Sequence, residues 1–168
     1  MEKGTLIALS LLVTVLLISG CTSFERWKSK QSPDFTVTDI DGKTFNLSQQ
    51  KGKDVVVVIS TTWCPFCKKE VPDLIRLRES FNSDKVTIIS ISNEDDSVLR
   101  TFRQAKGINY IMVSTENLPS PYSEVTGIPR FFFIDRNGTI RNTTSGYHSF
   151  EELKSLILAM DAAVVPAK

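Results

Sequence analysis

The sequence predicts an α/β domain with a central mixed β-sheet and helices on both of its faces. Runs of β-branched residues alternate along the chain with segments whose apolar residues recur at helical spacing, an order typical of this fold class. The last two predicted strands flank Asn137-Gly138, a dipeptide that favours a tight β-hairpin. A chain of 168 residues, of which 41% are hydrophobic, is long enough for one such domain and a short appendage.

The domain is predicted to begin with a β-hairpin. Residues 35–48 contain two short alternating stretches on either side of Asp41-Gly42, which is a hairpin signal. The next segment, DVVVVIS at 54–60, is a continuous β-branched run, as expected for a strand that is buried on both faces of a sheet. These features place an N-terminal hairpin before the first strand of the central sheet.

The remaining elements follow from the same two periodicities. Ser149 and Glu152 have the spacing of a capping box, which indicates where the last helix begins. In chain order we predict a helix at 68–81, a strand at 86–92, a helix at 95–105, strands at 110–114, 130–135 and 139–145, and a helix at 149–160.

The charge distribution argues against a nucleic-acid partner. Charged residues make up 23% of the chain and nearly cancel, which leaves a formal net charge of +1. The sequence has no long basic run and no stripe of interleaved basic and aromatic residues. We expect a monomeric domain that does not bind nucleic acid.

The N-terminus differs in kind from the rest of the chain. Lys3 precedes an almost wholly apolar run at 5–19, which has the length of a signal-peptide core and is short for a membrane span. The run ends in LLISGC, which resembles a bacterial lipoprotein box. This resemblance implies that residues 1–20 are a cleaved signal peptide and that Cys21 is lipidated, since several acyl chains anchor a small domain firmly.

On this interpretation residues 21–32 form a lipidated tether and residues 33–165 form the folded domain. The protein is then extracytoplasmic, in the periplasm or on the outer face of the cell membrane. A plain secretory signal, or a short anchor helix that happens to contain Cys21, is the alternative.

The remaining two cysteines, Cys64 and Cys67, follow a predicted buried strand and open a helix, and the sulfur of Cys64 is expected to be exposed there. Unpaired N–H groups and the positive dipole end of a helix stabilise a thiolate there. Pro65 suits the first helical position because its missing N–H costs nothing at that point. Cys67 falls on the same helix face, so Cys64 is predicted to attack a partner disulfide and Cys67 to resolve the mixed disulfide.

Other uses of this cysteine pair fit less well. A structural zinc site needs four ligands, but the domain has no further cysteine and His148 is the only histidine. A structural disulfide between Cys64 and Cys67 would close too small a loop to constrain the unfolded chain. We therefore predict a redox-active Cys64–Cys67 disulfide, without a metal or a bound cofactor.

Two segments resemble thioredoxin-fold proteins, and among them the membrane-tethered TlpA/ResA-like thiol-disulfide oxidoreductases. They are WCPFCKKEVP at 63–72 and TGIPRFFFIDRNGTI at 126–140. The resemblance implies a thioredoxin-like fold and a cis-proline loop beside the dithiol, whose backbone pairs with a bound peptide. The residues that it assigns to the substrate groove are Trp63, Pro65, Phe66, Ile128 and Pro129.

The chain departs from ordinary thioredoxin at two positions. Val58 stands where thioredoxin has a buried aspartate, and Glu70 matches a glutamate that TlpA/ResA-like proteins use near the dithiol. Glu70 is therefore predicted to assist proton transfer; the alternative is a surface glutamate that favours an early helical turn. Arg130 replaces the usual threonine after the proline, where it could attract a thiolate, select substrates or point to solvent.

The resemblance favours a reductase of exported protein disulfides, in particular the cysteines of apocytochrome c. Its electrons would come from a membrane or extracytoplasmic thiol donor. The direction stays open, because Pro65 and Phe66 between the cysteines do not determine the reduction potential. An oxidase or an isomerase would use the same dithiol.

Two other functions share this fold. Copper-delivery proteins of the Sco type have a CxxxC motif and a late-loop histidine, whereas this chain has CxxC and a His148 that we expect to be exposed. Peroxiredoxins have a Pro-x-x-x-Thr-x-x-Cys segment, of which this chain has Thr61 but carries Val57 at the proline position. Both stay alternatives to disulfide exchange.

Overall fold

The computed structural model describes residues 30–163 and contains eight strands and three α-helices within that range. The strands are β1 (Lys30–Gln31), β2 (Thr36–Thr38), β3 (Thr44–Asn46), β4 (Asp54–Ile59), β5 (Val86–Ser92), β6 (Ile111–Ser114), β7 (Arg130–Ile134) and β8 (Thr139–Ser145). The helices are α1 (Pro65–Ser80), α2 (Asp96–Lys106) and α3 (Phe150–Ala163), and a 3-10 turn spans Ser48–Gln50. The predicted order of elements is confirmed; only the two-residue strand β1 was not foreseen.

Six strands form one mixed sheet in the order β1-β8-β7-β4-β5-β6. β4 runs parallel to β5 and β5 parallel to β6, whereas β7 runs antiparallel to both β4 and β8. β2 and β3 pair as the separate hairpin that the sequence predicts. β4 lies in the interior of the sheet, between β5 and β7. The residues that follow Ile59 therefore leave the sheet between the ends of these two strands.

The two faces of the sheet are covered differently. Alternate side chains of β4 point to opposite faces, with Val56 and Val58 in one core and Val55 and Val57 in the other. The first core contains apolar residues of all three helices. The second core lies under the β2–β3 hairpin and the irregular segment 115–129, which contributes the buried Tyr122.

The prediction that helices cover both faces of the sheet is therefore wrong, because all three helices pack on one face. The connections β4-α1-β5 and β5-α2-β6 advance across the sheet in the same direction, and right-handed crossovers of that kind place both helices on one face. Segment 115–129 then crosses the other face without forming a helix. Its prolines, Pro119, Pro121 and Pro129, disfavour helix because proline lacks an N–H group.

The predicted signal peptide 1–20 and Cys21 lie outside the described residues. Within residues 30–163, none of the helices combines the length and the apolar character that a membrane crossing requires.

Candidate active site

The dithiol lies at the point where β4 ends and α1 begins. Cys64 is the N-cap residue of α1, and its Sγ accepts a hydrogen bond from the N–H of Cys67 at 3.4 Å. Pro65 occupies the first turn, as its sequence position predicts. Both cysteines are free thiols and both are buried. The expectation of an exposed Cys64 sulfur is wrong, because Cys64 is only 5% exposed and its thiol reaches the carbonyl of Ile128 at 3.8 Å.

The two thiols differ in acidity. Burial alone would raise the pKa of Cys64, but hydrogen bonds from the Cys67 thiol and from the N–H groups of Cys67 and Phe66, together with the charge of Lys68, hold that pKa below its ordinary value. Burial and the neighbouring Cys64 sulfur raise the pKa of Cys67 to about 12. Cys64 is thus the thiol that ionises first, and Cys67 needs help to lose its proton.

An apolar rim surrounds the dithiol. Trp63 is 66% exposed and Phe66 is 60% exposed, which is unusual for side chains of that size. The Ile128–Pro129 peptide is cis, as the sequence resemblance implied, and its carbonyl contacts Cys64. The structure therefore brings the predicted groove residues to the same end of the sheet, next to Cys64.

Glu70 lies beneath the dithiol, on the second turn of α1. It is 1% exposed, so the alternative of a surface glutamate is wrong. One carboxylate oxygen, Oε1, accepts the N–H of His148 at 2.8 Å, whereas Oε2 is buried and has no hydrogen-bond partner among residues 30–163. Burial raises the pKa of Glu70 to about 8, although the N–H of His148 opposes this change, and the charges of Asp73 and Cys64 add to it.

A small cavity joins Glu70 to Cys67. Its volume is about 20 Å³, which is room for about one water molecule. Besides Cys67 and Glu70 it is lined by Thr61, whose buried Oγ1 has no partner, and by Tyr110. The arrangement therefore places a carboxyl with a raised pKa beside the thiol that must be deprotonated.

Sequence reasoning missed two contributors to this site. Glu94, at the end of β5, accepts hydrogen bonds from the N–H and the hydroxyl of Thr62 and from the hydroxyl of Ser92, and so holds the turn that precedes Cys64. His148 was expected to be exposed, but it is half-buried and its backbone serves Glu70. No local pattern marks either residue, because both act on partners more than thirty positions away.

Arg130, whose role the sequence leaves open, binds neighbouring strand β8. Its guanidinium donates to the hydroxyls of Ser145 at 2.6 Å and Thr143 at 3.0 Å, and it lies 5.7 Å from the ring centre of Phe132. The two hydrogen bonds connect the start of β7 to the end of β8. Arg130 thus stabilises the sheet next to the cis-proline loop.

Comparison with known proteins agrees with the fold. The family model described as AhpC/TSA family matches residues 29–143. A relative named thiol-disulfide oxidoreductase ResA from Bacillus thuringiensis (strain Al Hakam) is 27% identical over 159 residues, which cover 86% of this chain and 91% of that protein.

Solved structures show the same likeness. A thiol:disulfide interchange protein of the thioredoxin family from Chlorobium tepidum TLS superposes with a TM-score of 0.70 and 26% identity, over 79% of this chain and 97% of that one. A secreted Mycobacterium tuberculosis disulfide oxidoreductase, described as homologous to Escherichia coli DsbE, gives a TM-score of 0.62 and 26% identity, over 74% of this chain and 95% of that one. The chain belongs to the AhpC/TSA family and is a thioredoxin-like protein thiol-disulfide oxidoreductase of the ResA and DsbE type.

Proposed function

We propose that the protein is a lipid-anchored, extracytoplasmic disulfide reductase that uses the Cys64–Cys67 dithiol. The observation that carries this proposal is the position of Cys64 at the N-cap of α1, where its Sγ accepts the N–H of the buried Cys67 at 3.4 Å. This position agrees with a lowered pKa at Cys64 and a pKa raised to about 12 at Cys67. Disulfide exchange needs one thiolate that attacks and a second thiol that stays protonated until the mixed disulfide has formed.

The reaction is a two-electron exchange. The Cys64 thiolate attacks one sulfur of a client disulfide, forms a bond to it and expels the other client sulfur as a thiolate. The ionised form of Glu70, whose fraction rises as the pH approaches 8, then accepts the proton of Cys67. The Cys67 thiolate attacks the Cys64 sulfur, which releases the second client thiolate. The client is reduced to a dithiol and the protein is oxidised to the Cys64–Cys67 disulfide. A thiol donor outside the cytoplasm would restore the reduced form.

The apolar rim supports a protein client. Exposed Trp63 and Phe66 offer a surface for an unfolded segment, and the cis Ile128–Pro129 loop has the position of a backbone partner for it. The resemblance to TlpA/ResA-like proteins favours the paired cysteines of apocytochrome c among such clients. Reduction of an oxidised CxxCH peptide at least tenfold faster than of a scrambled disulfide peptide of equal charge is the expected result.

The direction of the reaction is tested by the reduction potential of the Cys64–Cys67 couple. Known potentials in this fold extend from about −270 mV for a reductant to about −120 mV for an oxidant. Equilibration with glutathione or thioredoxin buffers, followed by alkylation and mass spectrometry, measures the value. A potential near the reducing end agrees with the proposal, whereas one near the oxidising end makes the protein an oxidase.

Lipid anchoring is tested by the substitution Cys21→Ser. If LLISGC is a lipoprotein box, this change leaves an unprocessed precursor or releases the mature domain from membranes. The relative that is described as secreted supports placement outside the cytoplasm. Mass spectrometry that finds an unmodified Cys21 within an uncleaved chain contradicts the proposal.

A further inference from the structure

The connection between β8 and α3, residues 146–149, lies directly against Glu70, and we call it the closing loop. It is attached at three successive residues. The N–H of Gly146 donates to the carbonyl of Pro129 at 2.9 Å, and the hydroxyl of Tyr147 donates to Asp73 Oδ2 at 3.0 Å. The N–H of His148 donates to Glu70 Oε1 at 2.8 Å. The closing loop thus links the cis-proline loop, helix α1 and the buried carboxyl.

Tyr147 is held from two sides by α1. Its hydroxyl binds Asp73, and the ammonium group of Lys69 lies 3.9 Å from its ring centre. Lys69 and Asp73 are one helical turn apart, and Glu70 lies between them in the sequence. The Tyr147 side chain therefore fastens the closing loop to the same turn of α1 that carries Glu70.

The other end of the closing loop is also fixed. The N–H of Ser149 donates to Glu152 Oε2 at 2.7 Å, which forms the capping box of α3 that the sequence predicts. The ring of His148 packs edge-on against Phe131, with ring centres 5.4 Å apart. With Tyr147 on one side and Ser149 on the other, the N–H of His148 is held in position to donate to Glu70.

We propose that Tyr147 is a positioning residue for disulfide exchange, which keeps the closing loop against Glu70 so that bulk solvent is excluded from this carboxyl. The inference rests on the proposed role of Glu70 in accepting the proton of Cys67. Glu70 is 1% exposed and one of its oxygens has no partner among the described residues, so its protonation depends on whether bulk solvent reaches it.

The expected effect has a definite sign. Burial is the largest cause of the raised pKa of Glu70 and outweighs the N–H of His148, which lowers it. If the closing loop opens, water stabilises the carboxylate and the pKa of Glu70 falls on balance. The ionisable groups around Glu70 are Cys64, Cys67 and Asp73 at α1, Tyr110 before β6, Tyr147 and His148 in the closing loop, and Glu152 on α3.

Two graded substitutions test this inference in the full mature chain. Tyr147→Phe keeps the ring beside Lys69 and removes only the hydroxyl, whereas Tyr147→Ala removes both contacts. Carbon-13 NMR of the Glu70 carboxyl, assigned with Glu70→Gln, follows its titration directly. From a midpoint near 8, we expect a decrease of about 0.5 in Tyr147→Phe and about 1 in Tyr147→Ala.

Tyr122→Phe is the matched control. It removes a tyrosine hydroxyl that binds Ser32 at 2.5 Å in the other core, and it should leave the Glu70 midpoint unchanged. An unchanged midpoint in Tyr147→Ala overturns the inference. The NMR measurement does not depend on catalysis. If Glu70→Gln exchanges disulfides at the wild-type rate, the proposed role of Glu70 fails, whereas the effect of Tyr147 on Glu70 is still decided by the titration.

Discussion

A carboxylate that is 1% exposed lies at each end of the central sheet, but the two carboxylates differ in their hydrogen-bond partners. Asp135, after β7, accepts the N–H groups of Asn137 and Thr139, each at 2.9 Å, and pairs with Arg141 at 2.6 Å. In the part of the chain that the structure describes, Glu70, at the dithiol end, has one backbone donor and one oxygen without a partner.

The difference shows that burial alone does not identify a functional carboxylate. Asp135 has the donors that an ionised group needs, and it holds the turn between β7 and β8. Glu70 lacks them, so it retains a proton to about pH 8 and can exchange that proton with a neighbour. Asp135 and Glu70 therefore differ in the number of their donors, and Glu70 also lies beside a thiol with which it can exchange a proton.

The largest effect is expected at the dithiol itself. Cys64→Ala removes the attacking sulfur and should abolish disulfide reduction, whereas Cys67→Ala should trap mixed disulfides with clients because the resolving thiol is missing. Non-reducing gels followed by mass spectrometry measure the trapped species. Iodoacetamide should label Cys64 before Cys67, given the lower pKa of Cys64. Faster labelling of Cys67 would reverse the two roles.

The next effect is expected in the pH dependence of stability and comes from the buried carboxyl of Glu70. The unfolded chain ionises this carboxyl near pH 4.5, but the folded chain retains the proton until about pH 8. The folded state therefore binds more protons between these values, and stability falls as the pH rises through this window. Glu70→Gln removes this loss, so at pH 9 it should be more stable than the wild type by on the order of 4 kcal/mol, with little difference at pH 4.

The same variant should also slow exchange near neutral pH and change the pH profile of thiol alkylation between about pH 5 and 9. Asp54→Asn is the matched control: Asp54 is buried at the opposite end of β4, one of its oxygens has no partner and burial raises its pKa. Asp54→Asn should alter the pH dependence of stability and leave thiol alkylation unchanged. Identical alkylation profiles for Glu70→Gln and the wild type would make Glu70 a structural residue.

A third effect is expected at Asp135, at the end of the sheet opposite the dithiol. Asp135→Asn weakens a buried ion pair and places an amide against backbone donors, so it should lower the free energy of unfolding by on the order of 3 kcal/mol. Asp41→Asn breaks the exposed pair with Arg103 and should have a much smaller effect. Urea denaturation measures both. If the thiols of folded Asp135→Asn are alkylated at a changed rate, Asp135 affects the dithiol. This result would contradict its assignment as a structural carboxylate.

Local signals explain why most of the fold was predictable. The β-branched run of β4, the Asn137-Gly138 turn and the Ser149–Glu152 cap each depend on residues within one element, and each is present in the structure. The error concerned the face that each helix covers. That depends on the direction in which successive crossovers advance, and on segment 115–129 remaining irregular.

The candidate site also has a part that the sequence predicts and a part that depends on distant residues. Cys64, Cys67 and Glu70 lie on one helix, so their spacing predicts that they are neighbours. The groups that determine their acidity come from distant positions: within the described residues, the only hydrogen-bond donor to Glu70 is the N–H of His148, 78 residues away. Whether a given glutamate has enough donors is a property of the packed structure, and no sequence pattern of this chain encodes it.

The smallest expected effect concerns Glu94, which resembles Asp135 in its donors and Glu70 in its position. Like Asp135 it has several donors, since the N–H of Thr62 lies 2.6 Å from its Oε2 and the hydroxyl of Ser92 lies 2.9 Å from the same atom. Like Glu70 it adjoins the dithiol, because Thr62 is two residues before Cys64. Glu94→Ala should free the turn that positions Cys64 and slow its attack on a disulfide about three- to tenfold, which corresponds to about 1 kcal/mol of activation free energy.

Two further variants define the cause of that effect. Glu94→Gln keeps an acceptor for the N–H of Thr62 and should lose less activity than Glu94→Ala. Asp95→Asn changes an exposed neighbouring carboxylate that makes no side-chain capping bond, and it should react like the wild type. Stopped-flow reduction of a disulfide reporter at fixed pH gives the three rates. If Glu94→Ala and Asp95→Asn react equally fast, the helix N-terminus alone positions Cys64 and the donors around Glu94 serve only the fold, as those around Asp135 do.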